Sequence, residues 1–247
     1  MRVVVIIPSR YGSTRFDGKP LARIYGRPMI QWVYQRALQA NCVEAVHVAT
    51  DDERIRVAVK AFGGNVIMTS SACRSGTDRV AEAAEHLGLG LQDVVINIQG
   101  DQPLVDSRSF DALVKPFAED AAVKMSTLAF AIVDEREITD PKDVKVTFDN
   151  NGDALYFSRA TIPYARDGGT GHAIYKHLGV YAYTREFLEC FRQLPPGRLE
   201  EIEKLEQLRA MEHGHRIRVV VTPYDSPEVD LPVDIRRIEE KMAVMGL

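Results

Sequence analysis

The chain has little to cross-link it and nothing to anchor it. Three scattered cysteines, Cys42, Cys73 and Cys190, form no Cys-x-x-Cys pair and have no histidine at zinc spacing. This excludes a disulfide framework and a structural zinc site, and the thiols read as reduced. No apolar run approaches the ~20 residues of a membrane span, and no signal-like segment comes before the first apolar run. Cytoplasmic residence without membrane contact is the expectation. Charge of one sign is lacking too: 31 Lys and Arg against 35 Asp and Glu leave a net −4, so nothing draws the whole molecule to nucleic acid. Any anion site must be a local basic cluster. No internal repeat, low-complexity tract or linker breaks the chain.

What is present suits an α/β domain. At 247 residues, 45% apolar and 27% charged, the chain can bury a large core as one unit spanning 1–247. Val3 to Ile7 is an unbroken β-branched run, as in a strand buried on both faces. The spacing predicts a helix that begins at Pro28 and runs through Leu38, one whose N-terminus is Thr50-Asp51-Asp52 and which runs through Phe62, and one with Val80, Ala83, Ala84 and Leu87, with strands at Val43–Ala49, Asn65–Met68 and Asp93–Gln99 between and after them. Three strand-helix repeats before residue 100 predict a mostly parallel, doubly wound sheet with helices on both faces.

The loop after the first strand is the most informative stretch. It sets Arg10, Arg15 and Lys19 among Gly12, Gly18, Ser13 and Thr14. Glycines let backbone N–H groups approach an anion, hydroxyls add donors and fixed cations neutralise phosphate oxygens. A polyphosphate fits this chemistry; a solvated basic loop between strand and helix is the other reading. The spacing is neither Gly-x4-Gly-Lys-Ser/Thr nor Gly-x-Gly-x-x-Gly, so neither an ATPase nor a dinucleotide site follows. Open parallel sheets bind ligands beyond the carboxyl ends of their strands. This loop, Thr50-Asp51 and Gly100-Asp101 should therefore open onto one crevice.

From Lys124 the texture changes. Lys124–Phe130, Lys145–Phe148, Ala154–Ser158 and Lys176–Thr184 are strand-like with few helical patterns between them, which predicts an inserted mixed or antiparallel lobe at about 124–184. Leucines and isoleucines three apart predict one helix from Leu199 to Met211, buried on several sides. Glu206 on that helix needs a ligand or a partner, Arg209 or Lys204. Asp234 can cap a last helix whose buried stripe is Ile235, Ile238, Met242 and Met245.

With these residues laid out, the chain resembles the 3-deoxy-manno-octulosonate (Kdo) cytidylyltransferases, from Val4 to about Glu240. The motifs are Ile7-Pro8-Ser9-Arg10-Tyr11-Gly12-Ser13-Thr14-Arg15 through Gly18-Lys19-Pro20-Leu21, Val48-Ala49-Thr50-Asp51, Ser75-Gly76-Thr77-Asp78-Arg79 and Asn97-Ile98-Gln99-Gly100-Asp101. Later come Ala154 to Arg159 with Ile162-Pro163, Lys176-His177-Leu178-Gly179-Val180-Tyr181, and Glu203 to Arg209. The resemblance implies a nucleotide-diphosphosugar transferase type of fold and a homodimer formed by the inserted region. CTP and an acidic octulosonate sugar would be substrates, Mg²⁺ the cofactor and pyrophosphate the leaving product. It further implies that Arg10, Arg15 and Lys19 hold the triphosphate, that Ser13 and Thr50 also bind the nucleotide, and that Ser75, Gly76, Asp78 and Arg79 surround cytosine and ribose. Gln99, Arg159, His177, Tyr181, Glu206 and Gln207 would surround the sugar, and Asp101 and Asp230 would hold the metal. Arg15, Lys19 and Asp101 would carry the chemistry.

Two departures stand out. The family often has Gly-Asp-Glu-Pro where this chain has Gly100-Asp101-Gln102-Pro103, and Val-Asp-Thr-Pro where it has Val229-Asp230-Leu231-Pro232. Gln102 and the short loop 167–175 are also similar to a branch acting on the 8-amino analogue of Kdo. That sugar is one alternative substrate; a non-catalytic nucleotide-binding dimeric module is the alternative from another class.

Overall fold

A computed structural model describes residues 1–12, 16–166, 168 and 172–246. The elements run β1 (Val3–Pro8), a 3₁₀ turn (Lys19–Leu21), β2 (Arg23–Ile24), β3 (Arg27–Pro28), α1 (Met29–Ala37), β4 (Ala45–Thr50), α2 (Glu53–Ala61), β5 (Asn65–Met68), α3 (Gly76–His86) and β6 (Val94–Asn97). They continue with α4 (Arg108–Glu119), β7 (Met125–Ala131), α5 (Arg136–Thr139), β8 (Lys145–Phe148), β9 (Ala154–Ser158), β10 (Tyr175–Thr184), α6 (Arg185–Gln193), α7 (Arg198–Glu203), α8 (Leu208–Glu212), β11 (Arg218–Val221) and α9 (Asp234–Met245).

Nine strands form one sheet, whose main path is β11-β7-β10-β6-β1-β4-β5. β1 pairs in parallel with β4 and β6, β4 with β5, and β11 with β7. β10 runs antiparallel to both of its path neighbours, β6 and β7, so it is the reversed strand of a main path whose other described strands run parallel to one another. Alternation along β1 decides the two faces. Val3, Val5 and Ile7 join the core beneath α1, α2 and α4, whereas Val4 and Ile6 join the core beneath α3, α6 and α8. The expected doubly wound sheet is therefore present. Within 124–184, β7 and β10 lie in the main path while β8 and β9 form a hairpin off β10.

Three local expectations are corrected. The single helix expected over Leu199–Met211 is two, α7 and α8, broken at Lys204, whose φ of 55° is left-handed. The Glu212 carboxylate accepts the N–H groups of Leu199 and Glu200 at 2.9 and 3.2 Å. A continuous helix would hold residues 199 and 212 about 20 Å apart, so this cap demands a reversal. Ile202 is consequently 68% exposed rather than buried. Asp234 is not the N-cap, which is Val233. Its carboxylate instead accepts the N–H groups of Asp230 and Leu231 at 2.9 and 2.8 Å, fastening the loop before α9. Met245 lies off the buried stripe, 52% exposed. Helix α4 has no counterpart in the sequence reading, where Pro116 inside it obscures the stripe of Phe110, Leu113 and Val114.

Candidate active site

The strand order turns at β1, whose neighbours β4 and β6 lead away in opposite directions, and a crevice opens where the loops after β1 and β6 part. Gly100 lets these loops approach: a Cβ there would stand 3.0 Å from the Ser9 hydroxyl. The cleft has a volume of about 930 Å³. It is lined by Arg10 and Lys19 from the first loop, by Ser75, Gly76, Asp78 and Arg79 from the start of α3, and by Gln99 and Asp101 after β6. Glu206, Glu228 and Asp230 complete its far side. Ten of the residues singled out in the sequence thus meet here.

The charge centre is Lys19. Gly18, at a φ of 67°, turns the chain into the 3₁₀ segment that delivers this lysine. Its Nζ pairs with the Asp101 carboxylate, donates to the Val229 carbonyl at 2.9 Å and stands 3.9 Å from Asp230 Oδ1. The Val229 N–H in turn donates to the Asp101 carbonyl at 3.0 Å, clamping the 228–230 segment against the turn after β6. Asp101 Oδ1 is buried with no hydrogen-bond partner. Two carboxylates converging on one cation, with a buried acceptor oxygen to spare, fit a hydrated Mg²⁺ that completes its shell with phosphate oxygens and water. Among the described residues no group of three His, Cys, Asp or Glu stands ready to cage a metal. The fit is therefore to a metal shared with a substrate.

Around this centre the other residues have separate tasks. Ser75 caps α3, its Oγ accepting the Asp78 N–H at 3.1 Å, so the positive end of an 11-residue helix faces the cleft. Arg79 lines the cleft but is 5% exposed, and its guanidinium is engaged by Asp51 at 3.1 Å and by Thr69 Oγ1 at 2.6 Å. Glu206 accepts a 2.8 Å hydrogen bond from Thr77 Oγ1 and stands 3.9 Å from Arg209, whose guanidinium is held by both oxygens of Glu200. Burial raises the Glu206 carboxyl above the usual range, and its Oε1 has no hydrogen-bond partner. Of the two partners expected for it, Arg209 is found as an ion pair at 3.9 Å, and the hydroxyl of Thr77 adds a hydrogen bond that was not expected.

Other expected residues lie outside the cleft lining. Thr50 is fully buried and its hydroxyl accepts the Asp52 N–H at 3.2 Å, so it shapes the turn into α2. Arg159 donates to the carbonyls of Glu203 and Pro141 at 2.7 and 2.9 Å. Buried Gln207 has an unpartnered Nε2. His177 packs between Phe157 and Tyr181, ring centroids 5.1 and 5.2 Å away. Its Nε2 lies 2.8 Å from Thr127 Oγ1, which itself donates to the Val180 carbonyl. The imidazole therefore carries a proton on Nε2 and donates it. Burial lowers its pKa to about 3 and raises the Tyr181 hydroxyl well above its ordinary value, so both are neutral. Ser13 and Arg15 lie outside the described residues.

The sequence reading passed over Glu228 as a cleft residue. As a residue it is exposed, yet its Oε1 accepts a 3.1 Å hydrogen bond from Nε2 of fully buried Gln102. Enclosure of the carboxylate, and then the neighbouring charges of Asp101 and Asp230, raise its pKa. The available signal was its place two residues before Asp230, beside a departure already noted at Gln102.

Comparison with known proteins gives the family and the fold. Residues 4–217 match the family described as Cytidylyltransferase. A 3-deoxy-manno-octulosonate cytidylyltransferase from Desulfosudis oleivorans is 63% identical over 246 residues, covering 100% of this chain and 99% of that protein. An 8-amino-3,8-dideoxy-manno-octulosonate cytidylyltransferase from Shewanella amazonensis is 56% identical over 245 residues, covering 99% of this chain and 100% of its own. A solved CMP:2-keto-3-deoxy-manno-octonic acid synthetase in complex with CTP superposes with a TM-score of 0.92 at 43% identity, covering 99% of this chain and 100% of that one.

Proposed function

Since the chain belongs to the cytidylyltransferase family, we propose that it transfers CMP from CTP to the anomeric hydroxyl of Kdo, giving CMP-Kdo and pyrophosphate for lipopolysaccharide synthesis. The observation that carries this reading is the meeting of Lys19, Asp101 and Asp230 at the switch point of the sheet. Attack at an α-phosphorus requires charge to be neutralised on oxygens in flight, and these residues can do so without a covalent intermediate. Arg10 and Lys19 lie where a triphosphate following β1 would meet them. The capped start of α3 offers backbone N–H groups to the nucleotide.

Asp101 and Asp230 would hold Mg²⁺, which when bound offsets phosphate charge and lowers the pKa of a coordinated hydroxyl. Glu206 and Gln99 stand in the cleft as hydrogen-bond partners for sugar hydroxyls. Arg159, His177, Tyr181 and Gln207 would join the sugar's surroundings only if α7 and the turn after it shifted toward bound substrate. We place the reaction in the cytoplasm; no helix among the described residues is long and apolar enough to cross a membrane. We further take the β8–β9 hairpin as the contact of a homodimer, since β9 pairs only with β8 and exposes Leu155 at 61%.

The test is pyrophosphate release from CTP and Mg²⁺ with Kdo or with its 8-amino analogue. Release that depends on the sugar is expected; none with either sugar refutes the enzyme reading and leaves the non-catalytic module.

A further inference from the structure

On the far side of the carboxylate pair the cleft contains a third acid with no task in phosphate or metal binding. Glu228 lines the cleft with Asp101 and Asp230, and its carboxylate is held from behind. Gln102, with no exposed surface, donates through Nε2 both to Glu228 Oε1 at 3.1 Å and to the Leu178 carbonyl at 2.5 Å. The Val229 N–H bond to the Asp101 carbonyl and the Lys19 bond to the Val229 carbonyl fix the backbone on either side. Gly179, at a φ of 65°, brings its backbone close enough that a Cβ would lie 3.5 Å from Glu228 Oε1. Gln102 Oε1 is buried and has no partner. Gln102 itself is not part of the cleft lining, so the acceptor that a ligand can reach is the Glu228 carboxylate.

A carboxylate open to the cleft calls for a donor from outside the protein. The phosphates of the nucleotide cannot supply it, being acceptors themselves, and its base and ribose belong at the start of α3 in the reading above. The attacking sugar can. Its anomeric hydroxyl must reach the α-phosphorus beside Asp101 and Asp230, which brings its remaining substituents past the 228–230 segment. Lys19 is already committed to Asp101 and Val229, and among the described residues no side-chain cation pairs with Glu228. A terminal hydroxyl would give this carboxyl group a neutral hydrogen bond. A terminal primary ammonium, charged at neutral pH like that of lysine, would give it a charge-assisted one.

We propose that Glu228, positioned by Gln102, is the specificity residue for the sugar substrate and favours a terminal ammonium over a hydroxyl. The proposal rests on the cytidylyltransferase reading above. Glu206, the other cleft acid, is engaged by Thr77 and faced by Arg209, which leaves it less suited to a cation.

The experiment measures kcat/KM by pyrophosphate release for Kdo and for its 8-amino analogue, with the unaltered protein, Glu228→Gln and Glu228→Asp. The unaltered protein is expected to use the amine at least as well as Kdo. Glu228→Gln, which keeps the shape and removes the charge, is expected to lower the amine-to-Kdo ratio about tenfold, and Glu228→Asp less. An unchanged ratio in active Glu228→Gln overturns the proposal while the enzyme reading stands. So does an unaltered protein that prefers Kdo more than tenfold, a result that needs no variant to fold. No release with either sugar overturns both readings, and an amine preference above tenfold supports Glu228 while displacing Kdo as the substrate.

Discussion

Replacing Lys19 by methionine keeps most of the side chain and removes its charge. In the ligand-free protein the ammonium is the counter-charge for Asp101 and stands 3.9 Å from Asp230, with side-chain exposures of 16, 20 and 26% for the three residues. An exposed ion pair contributes about 0.2–1 kcal/mol, whereas removing one partner of a fully buried pair costs about 3–5 kcal/mol. A site about one-fifth exposed falls between, at about 2 kcal/mol. For a chain of this size that lowers the melting temperature by about 4–8 °C. The charge also identifies the remedy. Mg²⁺ added to the variant meets two carboxylates that have lost their cation, so it should raise the melting temperature more in Lys19→Met than in the unaltered protein. Asp101→Asn in the same chain removes the carboxylate that needed the lysine, so the double substitution should cost at least about 1 kcal/mol less than the two separate costs added together. Thermal unfolding of the four proteins with and without Mg²⁺ is the assay. A Lys19→Met protein melting within about 1 °C of the unaltered one, or two additive substitutions, would refute the argument.

Asp101→Asn alone should reduce pyrophosphate release by at least about 10²-fold with little change in melting temperature, because a hard cation needs the charge and the fold does not. Near-normal turnover at saturating Mg²⁺ would remove Asp101 as a ligand. His177 makes a prediction for pH. Its folded pKa, about 3, lies below the ordinary histidine value of 6.5, so between these values the unfolded chain binds the extra proton. Its contribution is present above pH 6.5 and is lost as pH falls toward 3, at somewhat below ~1.4 kcal/mol per pH unit for a partly exposed ring. Urea unfolding at pH 7 and pH 5 should show a smaller acid loss in His177→Phe than in the unaltered protein. An equal loss would mean that His177 is not held neutral by the fold.

The first hundred residues were legible because local pattern and tertiary role agree there. β-Branched runs made the buried parallel strands, Asp52 and Ser75 stood where helices begin, and Asn65–Met68 was bounded correctly by glycines and a turn. The crevice followed from strand order, which put Lys19 and Asp101 together, whereas Thr50 and Asp51, expected on the same argument, lie outside its lining and the Ser75 turn, placed only by the resemblance, lies in it. What failed was long-range. The break at Lys204 is enforced by Glu212 folding back onto the start of α7, a contact that helical spacing cannot reveal. Likewise, Arg79 reads as a free cation until Asp51 and Thr69 are found around it. Glu228 needed the third dimension altogether, since its partner Gln102 is 126 positions away.

The same geometry implies an order to substrate binding. Without a metal, CTP would bring its phosphates toward Asp101, Asp230 and Glu228, with Lys19 already occupied by one of them. A cation shared by Asp101 and Asp230 changes both terms: it offsets the carboxylates, and it frees the Lys19 ammonium to turn from Asp101 to phosphate. Nucleotide and metal should therefore bind with positive coupling, and by linkage each must tighten the other equally. Couplings of this kind are commonly about 1–3 kcal/mol, so Mg²⁺ should tighten CTP by at least about fivefold. The effect on CMP should be smaller, because CMP lacks the outer phosphates that would receive the freed lysine. Calorimetric titration of CTP and CMP, each with Mg²⁺ and with EDTA, measures this directly. Equal tightening of the two nucleotides would mean that the lysine does not change partners, and no tightening of either would remove the metal from between the carboxylates and the nucleotide.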